Sequence, residues 1–131
     1  MSTPQAYIVD AIRTPVGKRN GSLAKTHPAD MGAHVISALV TRTGIDPAVV
    51  EDVIWGCVTQ AGEQAGDIAR TAALAAGLPE SVPGVTIDRQ CGSSQQAIQF
   101  AAQAVMSGTQ DVVITAGVES MTRVPMGSTY K

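Results

Sequence analysis

The segment Val85-Thr86-Ile87-Asp88-Arg89-Gln90-Cys91-Gly92-Ser93-Ser94-Gln95-Gln96-Ala97-Ile98 places a cysteine where a short apolar run gives way to a helical pattern. A buried strand that meets a tight turn and then a helix lifts the turn's side chain above the sheet edge. It also aims the free amide groups of the helix N-terminus at that side chain. The positive pole of the helix dipole lies at the same end, a setting that suits an anionic sulfur. Gly92, Ser93 and Ser94 keep the turn small enough for a bulky acyl thioester to approach the backbone. A thiolate at Cys91 could attack a thioester carbonyl and form an acyl-enzyme, splitting a carbon–carbon transfer into two easier steps. The backbone N–H of Cys91 would serve as an oxyanion donor for the tetrahedral intermediate. The same local pattern also describes a small buried cysteine at the head of a helix, and the pattern alone does not separate the two readings.

The elements that must position this turn alternate in type. Tyr7 to Ile12 reads as a first strand, and the Pro, Gly and Asn content of Arg13 to Gly21 reads as a loop. Pro28 to Thr43 has apolar residues at Met31, Val35, Leu39 and Val40, a helical spacing, with Gly44 as its cap. Asp46-Pro47 opens a short helix. Val53 to Val58 reads as a second strand, Thr59 to Gly66 as a polar loop, and Asp67 to Ala76 as a helix stopped by Gly77. Val85-Thr86-Ile87 is a third strand, and Ser93 to Ser107 a helix with a small-residue buried face, ended by Gly108. Val112 to Ala116 is a fourth strand, apolar throughout and expected to be covered on both faces. The alternation predicts an α/β domain with a mainly parallel sheet flanked by helices. Glu119 to Lys131 leaves the carboxyl end of the fourth strand, where such folds place ligands, and reads as the start of a loop in an incomplete domain.

Composition narrows the function. A chain of 131 residues, 44% hydrophobic and with net charge -2, is long enough for a core and carries no basic footprint for nucleic acid. Met1 to Gln5 lack the start of a signal peptide, and no apolar run reaches membrane-spanning length, so a cytoplasmic protein is expected. Cys57 and Cys91 are too few for a disulfide framework, and they form no zinc-ligand spacing with His27 and His34. Cys57, inside the apolar run Ile54 to Val58, reads as a small buried hydrophobe. His27 reads as a loop donor and His34 as a partly buried helical residue. Arg13, Lys18 and Arg19 read as a solvated or subunit-facing loop, with phosphate binding as the alternative. Arg70 reads as an ion pair or a subunit contact, and Met121 and Met126 as either acyl-channel lining or core.

Four motifs together resemble the thiolase family. Gln90-Cys91-Gly92-Ser93-Ser94 is similar to its acyl-enzyme cysteine segment, and Ala11-Ile12-Arg13-Thr14-Pro15-Val16-Gly17-Lys18 to its opening signature. Gln60 to Arg70 resembles its second glycine-rich segment, and Ala116-Gly117-Val118-Glu119-Ser120-Met121-Thr122-Arg123 its Gly-Gly-x-Glu-x-Met-Ser stretch. Asp88, Ser94 and Gln95 stand where the family usually has Asn, Gly and Leu. The Asp and Gln choices resemble a subgroup that acts on bulky acyl-CoAs such as sterol degradation intermediates.

The resemblance implies a layered α/β fold of which residues 1–131 are the amino-terminal half-domain. It implies Cys91 as nucleophile, acyl-CoA and coenzyme A as substrates, no further cofactor, and a homodimer or homotetramer. It also implies that the acid/base residues and the coenzyme A-binding insertion belong to a carboxy-terminal thiolase segment outside these 131 residues. A ketoacyl synthase shares the elbow, but the Arg13 to Lys18 opening favours the thiolase branch. The reading from a different class is a non-catalytic assembly module, or one subunit of a split enzyme, in which Val85 to Asp88 pairs with a second copy of itself.

Overall fold

The computed structural model describes residues 4–130. Met1 to Thr3, part of the segment read for a leader, lie outside the described residues. Three helices and three strands follow one another as α1 (Pro28–Thr43), β1 (Asp52–Gly56), α2 (Ile68–Ala75), β2 (Gly84–Ile87), α3 (Ser93–Met106) and β3 (Val113–Gly117). The sheet is parallel with order β2-β1-β3, so β1 is central.

Local chemistry sets the helix ends. Pro28 occupies the first turn of α1, His27 Nδ1 accepts the Ala29 N–H, and Gly44 closes the helix at φ 66. His27 therefore acts as an acceptor at a cap, not as the loop donor expected from sequence. His34 is exposed on α1, not partly buried. Asp46-Pro47 yields only a single 3-10 turn, Pro47–Val49, because Val50 at once leaves helical geometry. Asp67 caps α2, and its left-handed backbone (φ 63) is held by Thr86, whose hydroxyl donates to Asp67 Oδ1 at 2.6 Å and accepts the Ala69 N–H at 3.1 Å.

The period of two along β1 sorts its side chains between two layers. Val53 and Trp55 join Cys57, just past the strand end, against α1 and α2, in a core with Ile36, Ile68, Ala69 and Ala72. Ile54 points the other way, onto Ala97 and Ala101 of α3. The molecule is thus a three-layer sandwich with β1 buried on both faces, as an apolar central strand of a parallel sheet requires.

Two strand expectations need correcting. Tyr7 to Ile12 has no ladder partner among the described residues, and Tyr7, Ile8 and Val9 are 78%, 78% and 85% exposed. An apolar strand needs partners on its edges and faces, and none of the described layers covers this one. The fourth expected strand is β3, but it lies at the sheet edge and buries only Ile114 fully. Its outer edge, α1 and residues 8–20 instead bound an open cleft of about 1090 Å³.

Candidate active site

The turn between β2 and α3 is built almost wholly from its own side chains. Gln90 adopts a left-handed backbone at φ 48, a conformation that costs a non-glycine residue about 1 kcal/mol or more. Four hydrogen bonds hold it there. Asp88 Oδ1 accepts the Gln90 N–H at 2.7 Å. The Ser93 hydroxyl accepts the Arg89 N–H at 2.8 Å and donates to the Gln90 carbonyl at 2.6 Å. Gly92 N–H closes the loop onto the Arg89 carbonyl at 3.1 Å. Ser93 is buried while Cys91 stands exposed, so the turn is anchored from beneath with its sulfur facing solvent. Among the described residues the Cys91 N–H has no hydrogen-bond acceptor, and Gly92 leaves the head of α3 without a side-chain cap. The elbow therefore presents a thiol and a free amide donor from one residue.

What fixes its height is a pair of glycines. Gly56 of β1 and Gly117 of β3 are partners in the ladder, on the face toward α3. A Cβ on Gly56 would sit 2.5 Å from the Ser93 carbonyl carbon, and one on Gly117 would overlap the Ser94 hydroxyl. The first turn of α3 thus rests directly on bare backbone, the close approach that glycine in a strand permits.

Cys57 sits below, 1% exposed, with its N–H donating to the Ile87 carbonyl at 3.0 Å. Burial first, then the carboxylates of Glu119 and Asp88, push its thiol from the ordinary 9.0 up to about 12. It is a core thiol, as expected, and lies just beyond the strand instead of inside it. Iodoacetamide at pH 8 should therefore label Cys91 and spare Cys57 until denaturant is added; peptide mapping checks this. The unfolded chain releases the Cys57 proton near its ordinary value while the folded chain holds it. This thiol's contribution to stability is accordingly complete below about pH 9 and lost as pH rises toward 12. Urea midpoints across that window in wild type and Cys57→Ala would show it.

Glu119 and Gln64 join the ends of β1 and β3. The Glu119 carboxylate accepts N–H groups from Val58 at 2.8 Å and Thr59 at 3.2 Å, and the Gln64 amide at 3.0 Å. Gln64, fully buried, also donates to the Thr59 carbonyl at 2.8 Å and accepts the Ser120 N–H at 2.6 Å. Glu119 and Ser120 lie 55 to 61 residues from their partners Val58, Thr59 and Gln64, so no local pattern reveals the link.

The remaining candidates fall elsewhere. Arg13, Lys18 and Arg19 are exposed on their loop. Arg70 forms no ion pair among the described residues; its guanidinium donates to the Val82 and Glu80 carbonyls. Met121 and Met126 are 55% and 78% exposed and line the open cleft, so they are not core. Cys91 does not line that cleft, although Ser94 and Ile98 do. Arg123 holds Glu63 in a two-pronged pair at 2.5 and 2.6 Å and keeps its carboxyl below the usual range, joining the loop after β1 to the loop after β3.

The structure is thus a layered α/β domain with an exposed cysteine at a strand–helix elbow. Comparison gives the family: the profile described as Thiolase, N-terminal domain, matches residues 6–131, and the chain belongs to that family. It is 61% identical over 124 residues to a steroid 3-ketoacyl-CoA thiolase of Mycobacterium tuberculosis, a match covering 95% of this chain and 30% of that protein. It is 50% identical over 121 residues to a 3-ketoacyl-CoA thiolase of Pseudoalteromonas translucida, covering 91% and 31%. A beta-ketoadipyl-CoA thiolase of Acinetobacter baylyi is likewise 50% identical over 121 residues, covering 92% and 30%. The chain thus spans about 30% of the length of the curated relatives it matches.

Proposed function

We propose that this chain carries the nucleophile of a thiolase, with Cys91 as the acyl-accepting thiol. The observation that carries the reading is the elbow, where an exposed sulfur and an unpaired N–H on the same residue stand at the head of α3. The Cys91 thiolate adds to the 3-keto carbonyl of a 3-ketoacyl-CoA, and the resulting alkoxide lies within reach of the Cys91 N–H. Collapse breaks the bond between carbons 2 and 3. The shortened acyl group stays on sulfur, and acetyl-CoA departs as an enolate that takes up a proton. The thiol of free coenzyme A then attacks the acyl-cysteine and restores Cys91; the same steps in reverse condense two acyl-CoAs. The base that serves coenzyme A and the donor that protonates the enolate belong, in this reading, to the carboxy-terminal thiolase segment. No metal or redox group is needed, since every step moves only protons and acyl groups.

A sterol-derived or similarly bulky acyl chain is the favoured substrate class. Support comes from Asp88 and Gln95 and from the 61% identity to a relative named as a steroid thiolase. The outer edge of β2 is unpaired among the described residues, which supports pairing with a second copy through Val85 to Asp88 in a homodimer or homotetramer.

Intact mass after exposure to acetoacetyl-CoA, followed by alkylation and peptide mapping, tests the assignment. A single acetyl group on Cys91 is expected, either with the chain alone or once a polypeptide carrying the carboxy-terminal segment is added. No adduct under either condition would overturn the catalytic reading in favour of an assembly module.

A further inference from the structure

We propose that Glu119 is a positioning residue for Cys91, acting through the two strand ends on which α3 rests. The inference builds on the reading of Cys91 as the acyl-accepting thiol. Three observations make the connection. Gly56 and Gly117 face each other across the β1–β3 ladder and touch the first turn of α3, which begins two residues after Cys91. Val58 and Thr59, just beyond Gly56, donate their N–H groups to a carboxylate that lies two residues beyond Gly117. The Val118 N–H donates to the Gly56 carbonyl at 3.0 Å, so ladder and carboxylate close one continuous clasp beneath the elbow.

The polarity of the clasp admits only a carboxylate. Glu119 receives three N–H donors through its two carboxyl oxygens and donates to nothing. Gln64 cannot take over, because its amide is already fixed in orientation by the Thr59 carbonyl on one side and the Ser120 N–H on the other. An amide at position 119 would turn an NH2 group toward either Val58 N–H or Gln64 NH2, donor against donor. Relief requires the strand ends to part or tilt, and the glycine pair, with no side chain to absorb the change, passes it to Ser93 and Ser94.

The test is Glu119→Gln, assayed by single-turnover acylation of Cys91 with acetoacetyl-CoA at a temperature well below the variant's own melting midpoint. Where acylation needs the carboxy-terminal segment, that polypeptide is included for wild type and variant alike. The limiting acylation rate is expected to fall on the order of tenfold to a hundredfold, the penalty for a misplacement of about 1 Å, while the half-saturating concentration barely moves. A folded variant that acylates at the wild-type rate overturns the proposal, because a purely structural role lowers the melting point without changing the rate per folded molecule. If Glu119→Gln does not fold, Gln64→Met keeps the buried volume and removes the amide that holds Glu119. A smaller fall in the same limiting rate is expected there, and an unchanged rate is again fatal. Failure of wild type to acylate would count against the role of Cys91 itself. The clasp would then be read from the iodoacetamide rate at Cys91, where a fall in Glu119→Gln supports the positioning role and an unchanged rate refutes it.

Discussion

Cys91→Ser is expected to abolish acyl transfer from acetoacetyl-CoA while leaving the melting curve of the chain almost unchanged. Both halves of that expectation follow from where the residue sits. Cys91 is exposed and packs into neither core cluster, so its replacement by an oxygen of similar size belongs with surface changes worth within about 0.5 kcal/mol. Ser93, Asp88 and Gly92 hold the turn without using the Cys91 side chain, so the elbow stays intact. Chemistry is another matter. A serine hydroxyl is a weak nucleophile unless a neighbouring base takes its proton, and among the hydrogen bonds of the elbow no histidine or lysine side chain reaches position 91. Loss on the order of a thousandfold or more is the expected size for removing the nucleophile of a covalent acyl transfer. Single-turnover mass spectrometry on the wild type and variant measures it. An acyl adduct of undiminished rate in Cys91→Ser would move the nucleophile elsewhere.

Much of this arrangement was legible in the residues. Pro28, Gly44, Asp67 and Gly77 mark helix ends through backbone chemistry that acts within a few residues, and the structure puts the ends there. The strand–turn–helix change around Cys91 is equally local. Tyr7 to Ile12 was misleading for the opposite reason. Its apolar, strand-forming residues describe what the segment can do, but a strand exists only when another edge accepts its hydrogen bonds, and sequence gives no sign of the partner. The Glu119 clasp was hidden in the same way, since Val58 and Glu119 become neighbours only after β1 and β3 pair. The glycines are an intermediate case. Gly56 and Gly117 each end an apolar strand, and a glycine there signals close approach by another backbone. What the sequence could not say is that both approaches come from the same turn of the same helix.

That shared seat makes Gly56→Ala the most damaging single-methyl change available near the site. Any Cβ at position 56 lies 2.5 Å from the Ser93 carbonyl carbon, against ordinary contacts of about 3.5–4.0 Å, so roughly 1 Å of movement is required. The obstacle is backbone on both sides, and no rotamer change relieves it. Overpacking of this kind costs about 1–3 kcal/mol or more. α3 cannot simply rise, because Ile54 on the same strand face is packed against Ala97 and Ala101 further along the helix. The helix must tilt at its first turn, which is where the elbow is attached. Gly56→Ala should therefore lower the melting midpoint by several degrees and also slow Cys91 acylation in the protein that remains folded. Gly44→Ala supplies the contrast. Gly44 has φ 66 with nothing within 4 Å of an added Cβ, so its cost of about 1 kcal/mol is purely conformational and lies at the far end of α1. It should lower stability and leave the acylation rate per folded molecule untouched. Equal acylation rates in the two variants would show that the glycine seat does not govern the cysteine, and with it the link from strand ends to sulfur would fall.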